Sequence, residues 1–320
     1  SRDTEFHNQL IQSKDEPNLG STGSRLLSGN NHAAEKTEKY LAELFKAEDT
    51  LILNSGYLAN LAVLSSIPQR GDHILYDELC HASIKDGMRL SNAKYISFKH
   101  NDLNDLEIKL GKIDGEKYIV AESIYSMDGD QCPLEKLVDI TEKYGAFLIL
   151  DEAHATGLYG AYGGGISQLK KLEKKIFCRI YTFGKALGYH GAAVAGSKEL
   201  KNFLINFARP LIYTTALPPG SYAIINTGFD YIIKHPDLQI TSQKITNVFI
   251  NEFEMHLSNK FKRTNSNHPI QTVLVSGNER VKSLAEKLNK LGYDVRAILS
   301  PTVKQGQERL RVCLHNYNTE

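Results

Sequence analysis

A chain of 320 residues with 41% apolar content is long enough to bury a sizeable core and to divide into one large and one small domain. Its 38 basic and 37 acidic residues nearly cancel, which speaks against a polyanion-binding surface, so nucleic acid is not an expected partner. No apolar run approaches the roughly 20 residues that cross a bilayer, the first fifteen residues are too polar for a signal peptide, and Cys80, Cys132, Cys178 and Cys313 show no C-x-x-C spacing. These features predict a cytoplasmic protein with neither a metal site nor a disulfide framework and without a membrane partner.

In chain order, residues 1–19 are polar and read as an extended or loosely helical lead-in. The Gly/Ser/Asn-rich stretch 20–31 cannot hold regular structure and delivers the chain to a helix over 32–46, where Tyr40, Leu41, Leu44 and Phe45 keep helical spacing. Asn54-Ser55-Gly56-Tyr57 opens a second helix. A Ser-Gly pair at a helix start presents free N–H groups and the positive end of the dipole, a place for a phosphate to which the Tyr57 hydroxyl could add; a plain N-cap is the other use of Ser55. A short strand over 74–77 leads to His81 and a helix through Met88, and His81 suits either packing or lying flat on an aromatic ring.

Strands over 95–98, 118–122, 147–150 and 176–183, with a helix over 134–144, predict a mostly parallel sheet whose function lies at the strand C-termini. Glu122 and Ser126 follow one of these strands, Asp151 and His154 the next, and Thr182 and Lys185 end the last. Lys185 stands in Gly184-Lys185-Ala186-Leu187-Gly188, where small neighbours let a ligand approach. A lysine forms a reversible imine with an aldehyde when burial lowers its pKa and frees its amine. A surface lysine in a Gly-rich turn is the plainer reading, but Asp151 stands about 34 residues upstream. A strand-terminal Asp can hold a metal; paired with such a lysine it suits the pyridine nitrogen of pyridoxal phosphate, whose protonated ring accepts electrons. Further on, Thr214 and Thr215 precede the pair Pro218-Pro219, which forces an extended or turn backbone. His235-Pro236 marks a boundary to a smaller α+β domain with strands over 272–275, 293–298 and 309–314 and a helix over 279–291. There Leu310, Val312 and Leu314 alternate onto one face, leaving Arg309 and Arg311 on the other, either of which matches a carboxylate in bidentate geometry.

The stretches GSTGSRLLSGN (20–30), NSGYLAN (54–60), DELCHASIKDGMRLS (77–91), ESIYSMDGD (122–130), DEAHATG (151–157) and TFGKALG (182–188) resemble, in the same order, those of the α-oxoamine synthases. These are fold-type-I pyridoxal-phosphate enzymes that condense an amino acid with an acyl thioester. The resemblance implies an α/β fold: a large cofactor-binding domain with a mostly parallel sheet over 20–235, a smaller α+β domain over 236–320, and a further N-terminal segment and C-terminal helix beyond the ends of this chain. It implies catalytic roles for Lys185, His81 and Asp151. Cofactor contacts come from Gly56, Tyr57 and Thr182 toward the phosphate, with Ser55 as second choice, and from Ser126 and His154 toward the phenolic oxygen or ring. Thr214 and Thr215 reach the phosphate of a neighbouring subunit, which makes a homodimer with a shared site. Arg311, the second Arg of R-L-R, holds the substrate carboxylate, and Ser24 also binds substrate. Partners are an amino acid and an acyl-CoA or acyl-carrier-protein thioester. The motifs GS-x-GSRLLSGN, HASIKDG-x-RLS and SPTV-x-x-G-x-x-RLR resemble the biotin-pathway branch, which implies L-alanine and a pimeloyl thioester. Rival readings are a sister synthase using glycine or serine, an aminotransferase or aldolase of the same superfamily, and a non-catalytic relative, against which Lys185, Asp151 and His81 speak. His190 departs from the smaller or apolar residue usual at its position.

Overall fold

The computed structural model describes residues 4–5, 8–9 and 19–318, so the lead-in expected over 1–19 lies almost wholly outside the described residues. The chain forms two compact units. One runs to Ser123 and resumes over Cys132–His235; the other joins Ile124–Gln131 to the chain from Pro236.

In the first unit, short helices at Leu103–Leu110, Gly165–Leu169 and Arg209–Ile212 and a turn at Glu173–Lys175 aside, the elements follow as α1 (His32–Leu44), β1 (Asp49–Leu53), α2 (Gly56–Ser66), β2 (His73–Asp77), α3 (Ala82–Arg89), β3 (Lys94–Phe98), β4 (Lys117–Glu122), α4 (Leu134–Lys143), β5 (Phe147–Asp151), β6 (Cys178–Thr182), β7 (Ala192–Gly196), α5 (Lys198–Phe207) and α6 (Pro219–Lys234). The seven strands pair in the order β1-β7-β6-β5-β4-β2-β3, and only β7 runs against its neighbours. β1, β4, β5 and β6 are buried along almost their whole length, as strands must be when helices cover both faces of a parallel sheet. From β2 the chain steps outward to β3, then returns to the other side of β2 for β4 and continues away through β5 and β6. The C-terminal ends of β2, β4, β5 and β6 are therefore four neighbours at the point where strand order reverses, the place where sheets of this kind open a crevice.

Local chemistry sets the element ends. Asn31, Ser55 and Ser197 each accept a first-turn N–H, from Ala34, Leu58 and Leu200, and so start α1, α2 and α5. α1 stops at Leu44, short of the predicted 46, because Lys46 turns left-handed (φ 49°) and the buried Arg179 takes the carbonyls of Phe45 and Lys46. Pro218 is extended as expected, but Pro219 is the first residue of α6 rather than part of a loop, since its fixed φ and missing N–H suit the first helical position.

One core cluster locates the loop after β6. Phe45 stacks on Tyr181 at 3.8 Å between ring centroids, and Phe229 of α6 sets its edge against Phe45 (5.4 Å) and Phe183 (5.8 Å). Leu187 is buried in the same cluster beside Gly228, where a Cβ would come within 2.8 Å of Leu187 Cδ1. Residues 184–186 are held between two buried anchors, Phe183 and Leu187.

In the second unit α7 (Asp237–His256) precedes a four-stranded antiparallel sheet of β8 (Lys262–Arg263), β9 (Ile270–Leu274), β10 (Arg296–Ile298) and β11 (Arg309–Cys313), ordered β10-β11-β9-β8, with α8 (Asn278–Lys290) between β9 and β10. Val281 and Ala285 of α8 pack with Val275, Val295 and Leu310. Residues Ile124–Gln131 close on themselves through an Ile124–Gln131 bridge and are pinned by Ser266 Oγ, which donates to Gly129 O at 2.8 Å. Gly129 is required there: its φ is 69°, and a Cβ would lie 2.1 Å from Ile270 O. Among the described residues no helix is long and apolar enough to cross a membrane, and no group of three or more His, Cys, Asp or Glu could hold a metal ion.

Candidate active site

Lys185 does not lie on the strand itself. β6 ends at Thr182, and a tight loop follows, closed by Tyr189 N donating to Phe183 O (2.8 Å) and Gly188 N to Lys185 O (3.0 Å), with Gly188 at φ 69°. The sequence reading expects a buried lysine; in the folded chain Lys185 is exposed, because Phe183 and Leu187 take the interior positions on either side and leave 184–186 at the surface. Its Nζ lies 2.7 Å from His154 Nε2, which joins the DEAHATG and TFGKALG stretches at the residues the sequence reading singles out.

Asp151 ends β5 directly beside Glu122, which ends β4. Asp151 Oδ2 accepts from Asn60 Nδ2 at 2.7 Å and Oδ1 from Ala153 N at 2.8 Å. Glu122 is buried and accepts the His81 backbone N–H at 2.6 Å, which fixes the start of α3 and thereby His81. Burial, and next the charge of Asp151, push the Glu122 carboxyl up to about 8, with Lys185 and the His81 N–H pulling the other way. Burial lowers the His81 imidazole below its ordinary value, opposed by Asp151. Cys80 is buried beside Glu122, Asp77 and Asp151, and its thiol is pushed well above the usual range, first by burial, which leaves it neutral and unreactive.

The Glu122 shift has a consequence for stability. A carboxyl raised from 4.5 to about 8 on folding contributes stability that is fully present below 4.5 and is lost as pH rises through about 8. Glu122→Gln cannot ionise, so its melting temperature should fall less than the parent protein's between pH 4.5 and about 8; parallel profiles would show that the carboxyl does not titrate there.

At the start of α2, Ser55 Oγ is the N-cap for Leu58 N, leaving the N–H groups of Gly56 and Tyr57 without helical acceptors. Gly56 abuts Thr182: a Cβ there would fall 2.3 Å from Thr182 Cγ2. The Tyr57 hydroxyl, expected to point to a phosphate, donates instead to Asp86 Oδ2 at 2.8 Å, because a carboxylate on α3, itself paired with Arg89, is within its reach. Thr215 is exposed and its carbonyl accepts from Asn54 Nδ2 at 2.7 Å; Thr214 is half-buried. Ser24 bridges to Thr215, and its buried Oγ has no partner among the described residues. His190 is exposed.

Ser126 and Arg311 belong to the second unit. Arg309 and Arg311 share the face of β11 opposite Leu310, as the alternation predicts, and both meet residues 124–131. Arg309 is paired with Asp128, whereas Arg311 donates through Nε to Ser126 O (2.9 Å) and through Nη1 to Cys313 Sγ (2.9 Å). Among the described residues no carboxylate pairs with Arg311. Three participants were missed in the sequence as site residues: Asn60, Ser83 and Glu122. Each lies inside a motif already singled out, but spacing alone does not show that an amide in one helix meets a carboxylate at a distant strand end.

The family model for class I and II aminotransferases matches residues 3–320, and the chain belongs to that family. A curated relative, the 8-amino-7-oxononanoate synthase of Emericella nidulans, is 41% identical over 321 residues, 94% of this chain and 77% of that protein. Among solved structures, a serine palmitoyltransferase of S. paucimobilis with bound PLP and myriocin matches with a TM-score of 0.92 at 26% identity, covering 99% of this chain and 80% of that one. The 8-amino-7-oxononanoate synthase of Francisella tularensis matches at 0.83 and 28%, covering 99% and 89%. Within the family the chain is an α-oxoamine synthase, an acyltransferase of fold type I that depends on pyridoxal phosphate.

Proposed function

We propose that this enzyme condenses L-alanine with a pimeloyl thioester, on coenzyme A or an acyl carrier protein, releasing the thiol and carbon dioxide to give 8-amino-7-oxononanoate for biotin synthesis. The observation that carries the substrate is the 41% identity to the Emericella nidulans synthase along 94% of the chain, against 26% to the serine palmitoyltransferase. Fold similarity does not rank the two, since one fold serves several substrates.

The first unit fits pyridoxal phosphate on its own geometry: orphan N–H groups at Gly56 and Tyr57 beside Thr182, a glycine where a side chain would intrude, a fixed carboxylate at Asp151 and an exposed amine at Lys185. When bound, the cofactor supplies an aldehyde for the amino group and a ring that accepts an electron pair. In this reading Lys185 Nζ would hold the cofactor at its aldehyde and would move the proton of the amino acid's Cα. Asp151 would keep a proton on the ring nitrogen, His81 would face the ring, and His154 and Ser126 would serve the phenolic oxygen. Gly56, Tyr57 and Thr182 hold the phosphate, the tyrosine through its backbone. Arg311, which lacks a carboxylate partner, takes that of the substrate, with Ser24 as a second substrate contact. Thr214 and Thr215 act on a second copy's phosphate in a cytoplasmic homodimer.

A second reading is a sister synthase of the serine palmitoyltransferase type, whose fold this chain shares along 99% of its length. The test is thiol release measured side by side for alanine, glycine and serine against acetyl, succinyl, pimeloyl and palmitoyl thioesters. Each methylene accepted or refused is worth about 1 to 3 kcal/mol, so chain-length preference should appear as roughly 10- to 200-fold steps peaking at pimeloyl with alanine. A faster rate for serine with palmitoyl-CoA, or glycine with acetyl-CoA, transfers the enzyme to that branch.

A further inference from the structure

Asn60 sits on α2, Ser83 on α3 and Asp151 at the end of β5, and they are 2%, 1% and 4% exposed. Asn60 Nδ2 is 2.7 Å from Asp151 Oδ2 and 3.0 Å from Ser83 Oγ. A carboxylate oxygen only accepts, so the atom facing it is the amide NH2, and both of its hydrogens are used. The Ser83 backbone N–H donates to His81 Nδ1 at 3.2 Å, so Ser83 Oγ, which accepts from Asn60 and lies 2.8 Å from the same nitrogen, donates its own hydrogen there. A ring nitrogen that receives two donors carries no proton, so the proton of the neutral ring is on Nε2.

We propose that Asn60 and Ser83 are positioning residues, a relay that ties Asp151 to His81 and holds the His81 imidazole as its Nε2–H tautomer. The proposal rests on the reading of Asp151 and His81 as cofactor-facing groups. An N-cap for α3 accounts for the Ser83 N–H alone. It does not account for Asn60, whose buried Oδ1 has no partner among the described residues, so that the two bonds of its NH2 group are what the amide supplies there. His81 then offers a hydrogen-bond donor, not a lone pair, at its free edge. The charged groups facing it are Asp151 and Asp86, which favour its protonation, and Lys185 and Lys85, which oppose it; Glu122 takes its backbone N–H.

The test uses the full chain loaded with pyridoxal phosphate and labelled with 15N-histidine, the His81 resonances being assigned by their loss in His81→Asn. Near neutral pH, Nδ1 should be unprotonated and Nε2 protonated. In Ser83→Ala and Asn60→Ala the tautomers should mix, and the His81 titration should move up by about 0.5 to 1 pH unit, the size expected for one lost hydrogen bond. Ser83→Thr, which restores a hydroxyl, should return both, and the double variant should move no further than the larger single one. A lowered melting temperature with an unchanged His81 titration, or shifts that simply add, would overturn the relay. The parent reading fails separately: if the titration follows the relay while His81→Asn keeps the parent's pH–rate profile, the relay stands and His81 is not a cofactor-facing group.

Discussion

Lys185→Ala should give a folded protein whose turnover falls by at least about 10²- to 10⁴-fold, the range for loss of a positioned general base alone. Folding should survive because the side chain is exposed and the loop is anchored by Phe183 and Leu187, not by the lysine. The same variant should lose the reducible link to its cofactor. Borohydride treatment of the parent protein followed by peptide mapping should place the pyridoxyl group on the peptide containing Lys185, and no peptide of the variant should carry it. Lys85 is the neighbour to watch, since it also acts on His81 electrostatically. Its ammonium donates to Glu78 O at 2.9 Å, however, and that bond must break before it can serve as a nucleophile. A pyridoxyl group on Lys85, or on any lysine other than Lys185, would sink the assignment.

Five of the seven strands were legible because their signal is local, while β1 and β7 were not read as strands. Apolar runs such as 147–150, each ended by a polar residue and followed by a helical segment, dictate buried parallel strands whatever lies far away in sequence, and the observed β5 differs only by taking in Asp151. Helix starts were legible for the same reason, as Ser55 capping Leu58 shows. Side-chain environment was not. Whether Lys185 is buried depends on how Leu187 meets Gly228 across about 40 residues of chain, and the partner of the Tyr57 hydroxyl depends on how α2 lies against α3.

The clearest case is Asn60. Its neighbours in sequence mark it only as the last residue of NSGYLAN at the start of a helix, and a buried Asn in a helix is as readily a packing residue. Its meaning comes from two bonds to residues 23 and 91 positions away. Residues 124–131 illustrate the same limit on a larger scale. Nothing in ESIYSMDGD says that this stretch is held by Ser266 and faces Arg309 and Arg311, because the contact is made by a left-handed glycine against a distant carbonyl.

Asp151→Asn should keep cofactor bound while turnover falls by about 10²- to 10³-fold, the cost of removing one preorganised electrostatic partner. Binding should persist because the phosphate end, Gly56, Tyr57 and Thr182, is untouched. The replacement is nearly isosteric but cannot satisfy both of the donors that Asp151 now accepts, Asn60 Nδ2 and Ala153 N, since one of its two positions becomes a donor itself. Two further titrations should move with it. Glu122, pushed up by burial and next by the Asp151 charge, should titrate lower, and His81, which Asp151 helps to protonate, should also titrate lower. Near-normal turnover would mean that another carboxyl meets the ring nitrogen. Glu122, paired with Asp151 in the sheet register, is the one placed to do so, but a carboxyl raised to about 8 is mostly protonated near neutrality and is a poor substitute for a charge. The double variant Glu122→Gln, Asp151→Asn separates the cases. If Asp151 alone acts on the ring, it should be no slower than Asp151→Asn; if Glu122 stands in, a second large loss should appear, strongest toward high pH, where Glu122 carries its charge.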